Sequence, residues 1–328
     1  MSLPASPHPS PLAGCRQFRS LLAEEEGVVG GEGGGAGVIL STSFVDLHCH
    51  STASDGTFSP AEVVALAVSS GLSALALTDH DTIGGVAEAA AAARKAGIDF
   101  VPGIEISCDV PRPATMHLLG YGVDPQSPVL LDLTTRLIDG RNDRNPRIVR
   151  KLNELGVAIT MEEVEAEAGG NVVGRPHIAA ILHRKGYVSS IKQAFDKYLA
   201  QGAPAYFDKE RLTPKQAIEL VRQSGGVAVL AHPVQLRTEN DAQLERIVKD
   251  LTDLGLAGLE VIHSDHDAAL VEKYSQMADR YGLIKTGGSD FHGTNKKNIN
   301  LGTANGRRIS REFFDRLVGR VAEHAKGV

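Results

Sequence analysis

The reading of the fold turns on Phe44-Val45-Asp46-Leu47-His48-Cys49-His50, continued by Ser51-Thr52-Ala53-Ser54-Asp55-Gly56 and then by Ser59-Pro60-Ala61-Glu62. The first residues form a short apolar run that predicts a strand over 44–48. On an extended chain alternate side chains share a face, so His48 and His50 point one way and Cys49 the other. Cys49 therefore reads as packing and not as a ligand. Ser59-Pro60-Ala61-Glu62 joins an N-cap to a proline in the first helical position, which predicts a helix over Pro60–Ser70 stopped by Gly71. A strand that ends in two imidazoles, followed by a capped helix, is one β/α unit.

The unit recurs along the chain. Strands are predicted at 44–48, 74–78, 98–102, 115–121, 227–231, 258–262 and 283–288. Helices fit between them at Pro60–Ser70, Gly84–Ala96, Thr213–Ser224, Asp241–Leu254 and Ala268–Tyr281. Seven strands alternating with helices predict an α/β fold, a parallel barrel or a wound sheet. From about Asp124 to Arg211 the strand signal stops, and helices are predicted at 128–140, 143–155, 160–168, 176–185 and 189–200. The expected organisation is a barrel over 43–123 and 212–309, a helical insertion domain over 124–211 and a C-terminal helix over 310–328. Insertions at a barrel's catalytic face commonly shape substrate access. Residues 1–42, proline-rich and then glycine-rich, bury too little to fold alone and read as a disordered or non-native extension. Glu24-Glu25-Glu26 interrupts their most apolar part, which argues against a secretory signal.

Each predicted strand brings a metal-type ligand, mostly at its C-terminal end, where parallel β/α folds keep their active sites. His48 and His50 end the first, and Asp55 follows in a Ser-Asp-Gly turn. His80 follows the second, Glu105 the third, and His117 lies on the fourth. His232 ends the fifth, His263 and His266 follow the sixth, and Asp290 and His292 end the seventh. A lone histidine at a strand end is usually a core or capping residue; the alignment of the whole set points to a metal site. The donors are imidazole and carboxylate without thiolate, which suits manganese, zinc or iron(II). More than four ligands imply more than one ion. Two or three closely spaced divalent ions can generate a hydroxide at neutral pH and clamp both oxygens of a phosphoryl transfer.

Bulk composition is consistent with this. The chain has 328 residues, net charge −6, and 34 Lys+Arg against 40 Asp+Glu. This argues against extended duplex nucleic acid as a partner, but leaves room for a nucleotide or short oligonucleotide, since bound ions supply local positive charge. No run of 18 apolar residues exists, so no membrane span is expected. Three scattered cysteines, Cys15, Cys49 and Cys108, make no disulfide framework and fit a cytoplasmic setting. No obligate protein partner is evident.

The motifs Asp46-Leu47-His48-Cys49-His50-Ser51-Thr52-Ala53-Ser54-Asp55-Gly56, Leu77-Thr78-Asp79-His80-Asp81-Thr82, Gly103-Ile104-Glu105, Ala231-His232-Pro233 and Gly288-Ser289-Asp290-Phe291-His292 resemble the PHP (polymerase and histidinol phosphatase) family over about residues 44 to 305. The Ser-Asp-Gly form of the first motif and the helical insertion are similar to its stand-alone nucleotide phosphoesterases. That resemblance implies a distorted seven-stranded barrel with a trinuclear site, manganese first among the metals, with zinc, iron or magnesium as alternatives. It implies removal of the 3′-phosphate from nucleoside 3′,5′-bisphosphates by a metal-bound hydroxide. The alternatives are 5′-3′ trimming of short RNA or cleavage of a cyclic phosphodiester. By motif, one ion falls to His48, His50, Glu105 and Asp290, the second to Glu105, His117 and His232, and the third to Asp55, His80 and His292. Asp55, His80 and His266 are the catalytic candidates, with His266 near the scissile phosphate and able to donate a proton. His263 has no such match and reads as packing. Arg175, in Gly174-Arg175-Pro176-His177, resembles a phosphate-binding segment; its bland reading is a solvated helix-start arginine. Relatives often carry Gly-Arg directly after Ala-His-Pro. Here Val234-Gln235-Leu236-Arg237 stands instead, so Arg237 either replaces that arginine from a shifted position or the contact is lost. Tyr198 and Tyr206, near the return to the barrel, offer rings for a base or, more commonly, packing.

Two other readings fit the sequence less well. An amidohydrolase of the other His-x-His barrel type bridges its metals with a lysine on the fourth strand, and 115–121 contains none. A non-catalytic member of the family would be expected to lose ligands, and all nine matched positions hold competent side chains.

Overall fold

The computed structural model describes residues 43–111, 114–168, 173–208 and 211–326. The expectations for residues 1–42 lie outside them. The strands are β1 (Phe44–Asp46), β2 (Leu72–Leu77), β3 (Asp99–Ser107), β4 (His117–Tyr121), β5 (Val227–Leu230), β6 (Gly258–Ile262), β7 (Ile284–Gly287), β8 (Thr303–Ala304) and β9 (Arg307–Ser310). The helices are α1 (Pro60–Ser69), α2 (Val86–Ala96), α3 (Pro128–Glu154), α4 (Met161–Ala168), α5 (Arg175–Arg184), α6 (Ile191–Ala194), α7 (Pro214–Gln223), α8 (Asp241–Asp253), α9 (Ala268–Arg280) and α10 (Arg311–Lys326). Ser59 and Thr213 form capping boxes before Pro60 and Pro214, as their sequences predict.

The sheet runs β7-β6-β5-β4-β3-β2-β1-β9-β8 and curls until its ends meet. Leu47 N donates to Gly287 O (3.2 Å), Asp290 N to His48 O (2.8 Å) and His50 N to Phe291 O (2.9 Å). Gly288 permits this meeting, because a Cβ there would lie 2.2 Å from the Cβ of His48. The result, among the described residues, is a nearly closed, barrel-like sheet of nine strands where seven were expected. The two extra strands form a hairpin whose β9 lies antiparallel to β1. They are too short to show alternation. Their turn residues Asn305 (φ 46°) and Gly306 (φ 75°) carry the Asn-Gly hairpin signal.

The sheet is not all parallel either, since β4 runs antiparallel to both β3 and β5. This reversal brings the start of β4, where His117 sits, to the end of the sheet at which its parallel neighbours finish. β3 also runs five residues further than the sequence suggests, through Gly103 to Ser107, because residues 103–107 pair with β4. Glu105 therefore stands on a rigid strand and not on a loop.

The inner apolar cluster joins Val45, Leu47, Ala76, Leu119, Tyr121 and Val229 to Phe314, Leu317 and Val321 of α10. The C-terminal helix thus seals the end where the parallel strands begin. Each such aliphatic side chain stabilises by roughly 1.5–3 kcal/mol on full burial.

Between β4 and β5 the described residues form helices but no strand, with two differences from the helices expected. The helices predicted at 128–140 and 143–155 are a single 27-residue helix, α3, that runs through Pro146. Buried residues recur at Leu130, Leu133, Leu137, Arg141, Arg144, Ile148 and Leu152. One face stays covered throughout, which outweighs the hydrogen bond lost at the proline. The first half of α3 packs into the barrel's outer core with Val123, Ile218 and Val221. Its second half founds a separate cluster with Val164, Ile178, Leu182 and Leu199. The helix predicted over 189–200 shortens to α6 and a π-turn, Phe195–Leu199. No helix of the described residues is long and apolar enough to cross a membrane.

Candidate metal centre

Glu105 is the hub of the site. Its Oε2 lies 3.3 Å from His48 Nε2, 3.2 Å from His50 Nε2 and 3.0 Å from His80 Nδ1. Its Oε1 lies 2.7 Å from His117 Nδ1 and 3.0 Å from His232 Nε2. Five histidines at the ends of four strands, β1, β2, β4 and β5, thus converge on one carboxylate that is 1% exposed. Asp290 is a second focus, with Oδ1 3.3 Å from His50 Nε2 and 3.4 Å from His292 Nδ1. Asp55 closes the third corner, 3.3 Å from His292 Nε2.

All nine expected ligands are brought together. Their donor atoms gather as His50, Asp55, His80 and His292; as His48, Glu105 and His232; as His80, Glu105 and His117; and as His48, His263 and Asp290. Two details differ from the motif-based sets. His50 gathers with Asp55, His80 and His292 while also facing Glu105 and Asp290. His263, read from the sequence as packing, is 1% exposed and aims Nε2 at Asp290 Oδ2 (3.3 Å). Cys49 does pack, donating to Ala76 O.

The donor set fits divalent cations. His48 Nε2, both ring nitrogens of His50, His80 Nδ1, His232 Nδ1, His263 Nε2 and Glu105 Oε2 are buried without a hydrogen-bond partner. Polar atoms left so are costly unless something binds them. The electrostatics agree. Burial would push Glu105 up, but His80, His117 and His48 outweigh it and hold its carboxyl well below the usual range. Burial would likewise raise Asp290, yet Lys296 and His292 keep it well below. Burial lowers His50, but Asp290 and Glu105 prevail and lift it to about 9. Burial takes His80 the other way, to about 3. Carboxylates that demand this much positive charge are suited to metal cations.

An outer layer fixes these ligands. His48 Nδ1 meets Glu260 Oε1 at 2.9 Å, and Glu260 Oε2 accepts from His232 N (2.8 Å). Donation from Nδ1–H would leave the His48 Nε2 lone pair facing Glu105. Asp79 accepts from Ser51 N, Ser51 Oγ and Ser54 Oγ, shaping the loop that carries Asp55. Asp290 (φ 58°) and His232 (φ 26°) hold left-handed backbone conformations, each at a cost of order 1–3 kcal/mol. Glu260, Lys296 and Arg141 are not singled out by the sequence. Glu260 had a signal, a carboxylate inside the apolar run Gly258-Leu259-Glu260-Val261-Ile262.

A cleft of about 1020 Å³ opens beside His117, lined by Arg175, Lys192, Tyr206, Arg211 and Arg237. Arg175 and Arg237 thus line one cleft with His117. Arg175 donates to Leu199 O (3.0 Å) and stacks 5.1 Å from the Tyr206 ring centre. Arg144, on α3, is 3% exposed and donates to Asn145 Oδ1. Burial and the nearby charges of Arg175, Arg141 and Arg211 push it down to about 9. Tyr198 packs in the helical core.

His266 stands apart from this cleft. It is fully buried, its Nδ1 meets Val261 O at 3.0 Å, and burial lowers it to about 4 despite that carbonyl. A ring that is neutral near pH 7 and donates from Nδ1 presents a lone pair at Nε2, so it is poorly set to protonate a leaving oxygen. Asp55 and His80 are placed among the ligands.

Residues 46–264 match the PHP domain family. The chain is 34% identical over 86% of its length to a "3',5'-nucleoside bisphosphate phosphatase" of Chromobacterium violaceum, covering 99% of that protein. It is 35% identical over 76% of its length to a "5'-3' exoribonuclease" of Haemophilus influenzae, covering 90% of it. A solved structure described as a metal-dependent phosphoesterase, from Bifidobacterium adolescentis, superposes with a TM-score of 0.75 at 30% identity over 85% of this chain and 96% of its own.

Proposed function

The chain belongs to the PHP domain family of metal-dependent phosphoesterases, and from that premise we propose that it hydrolyses the 3′-phosphate of nucleoside 3′,5′-bisphosphates. The observation that carries this reading is the juxtaposition of Glu105 and its five histidines with the arginine-lined cleft that begins at His117. One phosphoryl group would meet the metal centre while the second anionic group meets Arg175, Arg211 and Arg237.

His48, His50, Asp55, His80, Glu105, His117, His232, Asp290 and His292 would hold two or three divalent ions, manganese first, with His263 as a further donor to Asp290's corner. When bound, such ions activate water and neutralise charge on the phosphoryl oxygens. In the hydrolysis the water oxygen forms the new bond to phosphorus, the ester P–O bond breaks, and the departing ribose oxygen takes up a proton. Glu105 and Asp290 fix the ligand field, Glu260 holds the His48 and His232 orientations, and Arg175 with Arg237 orients the substrate. Tyr206 and Phe195 give the cleft aromatic surface beside its cations, which suits a base. Residues 124–211 act as an insertion domain over the catalytic barrel formed by 43–123 and 212–309.

A second reading is 5′-3′ trimming of short RNA. A cleft of about 1020 Å³ is at the upper end of small-molecule sites and has room for more than one nucleotide.

Phosphate release from adenosine 3′,5′-bisphosphate with Mn²⁺, in wild type and in His48→Ala, tests the proposal. Release from wild type and none from the variant supports it. No release by a protein that binds two or three Mn²⁺ sinks the bisphosphate reading, and turnover of 5′-phosphorylated oligonucleotides by that same protein would establish the second.

A further inference from the structure

Lys296 is a cation at the metal centre that the ligand set does not use. It ends the 3₁₀ turn Gly293–Lys296 that directly follows the ligand His292. That turn is pinned to the loop carrying Asp55, with Thr294 N donating to Thr57 Oγ1 (2.9 Å) and Asn295 Nδ2 to Asp55 O (2.8 Å). Gly293 (φ 65°) lies so close to Thr57 that a Cβ would come within 2.1 Å of its Oγ1, so the turn has one seating.

From there the lysine reaches Asp290, its Nζ 2.5 Å from Oδ2, while Oδ1 of the same carboxylate faces His48, His50 and His292. Its charge also acts on Asp55 and Glu105. The Lys296 side chain is 37% exposed, whereas that of Asp290 is 7% exposed. The lysine side chain is therefore partly open to solvent, while the carboxylate it meets is buried.

Divalent ions among these ligands would take over the neutralisation of Asp290, Asp55 and Glu105. An ammonium next to cations is repelled by them, and its favourable partner is an anion arriving from the open side. We propose that Lys296 is a further catalytic residue of the phosphoester hydrolysis, whose ammonium binds a non-bridging oxygen of the scissile phosphoryl group. The proposal rests on the phosphoesterase reading of the site. It gives Lys296 two partners in turn, Asp290 before metal loading and the phosphoryl group after it.

The test uses the full chain with Lys296→Met and Lys296→Arg, each checked for a native circular-dichroism spectrum. Mn²⁺ binding, inorganic phosphate binding to the Mn²⁺-loaded protein, and kcat/KM on adenosine 3′,5′-bisphosphate are measured. Lys296→Met is expected to keep the wild-type Mn²⁺ stoichiometry and bind Mn²⁺ as tightly or more tightly, since a competitor for Asp290 is gone. Phosphate affinity should fall about 10-fold and kcat/KM roughly 100-fold, with Lys296→Arg retaining the larger share of both. Phosphate affinity and kcat/KM within twofold of wild type would reduce Lys296 to a counter-ion and overturn the proposal. A loss of activity matched by a loss of bound Mn²⁺ would also overturn it, in favour of a role confined to Asp290. If wild type leaves the bisphosphate intact, the substrate reading fails, and the phosphate-binding comparison still decides the role of Lys296.

Discussion

Arg141, on the long helix α3, donates from Nη2 to the carboxylate of Asp81, the residue that follows the ligand His80. Both are buried, at 9% and 1% exposed. Asp81 has φ 57° and also accepts from Ser107 N and Oγ, so one carboxylate ties the His80 loop, the end of β3 and the helical segment together. Removing the cation breaks this buried ion pair. Arg141→Ala is expected to lose about 3–5 kcal/mol of stability and 10–100-fold in activity or metal affinity. Thermal unfolding and Mn²⁺ titration check this, and an unchanged Tm would refute the coupling.

Glu260 acts on two ligands at once, through His48 Nδ1 and the backbone of His232. Burial opposes its ionisation, but His48 outweighs that and holds it down at about 2. Glu260→Ala frees the His48 ring to turn and is expected to weaken metal binding 10–100-fold. Glu260→Gln keeps an acceptor for His48 and should lose less. Equal losses in the two variants, read by Mn²⁺ calorimetry, would show that packing alone matters there.

Much of the site is legible in the sequence because strand alternation and β/α order fix where a side chain must point. His48 and His50 flank Cys49 on a strand, so their common face follows from the pleat alone. His117 shows the limit. Its place at the start of β4 looks wrong for a parallel barrel, and only pairing with β3 and β5 reveals the reversal that puts it at the catalytic end. The gap expected between helices at 128–140 and 143–155 shows the limit in the other direction, because a face of α3 stays buried across it. Glu260 and Lys296 act through partners far away in sequence or through a turn, and neither carries a period that marks it. Arg144 and Arg211 become neighbours of Arg175 only through tertiary packing.

The histidines predict opposite pH behaviour with and without metal. His50, ordinarily near 6.5, is lifted to about 9 in the fold, burial being overcome by Asp290 and Glu105. In chelated protein its contribution is therefore complete below pH 6.5 and disappears as pH rises through 9. His80, lowered to about 3 mainly by burial, contributes above pH 6.5 and is lost as pH falls. Chelated protein should be most stable near pH 6.5 and lose Tm toward pH 9. With Mn²⁺ present the ligands must shed protons to bind, so the stabilisation by metal grows over the same interval. Scans at pH 6.5 and 9, with chelator and with Mn²⁺, decide it. Parallel slopes would mean that these histidines do not bind the metal.

Arg144 separates substrate binding from folding. It is buried on α3 beside Arg141, Arg175 and Arg211, and burial together with their charges lowers its pKa to about 9, so it stays a cation at neutral pH. It donates hydrogen bonds to the neutral amide of Asn145. A buried charge among like charges opposes folding, and an apolar side chain of similar length would relieve that repulsion. If the cluster exists to meet an anion, Arg144→Met should keep or raise the Tm, while KM for adenosine 3′,5′-bisphosphate rises roughly 10-fold, about 1.4 kcal/mol. A minimal phosphomonoester such as p-nitrophenyl phosphate, which offers no second anionic group, should be turned over with little change. A variant that unfolds, or one that loses both substrates equally, would mean that Arg144 supports the helical layer and not the ligand.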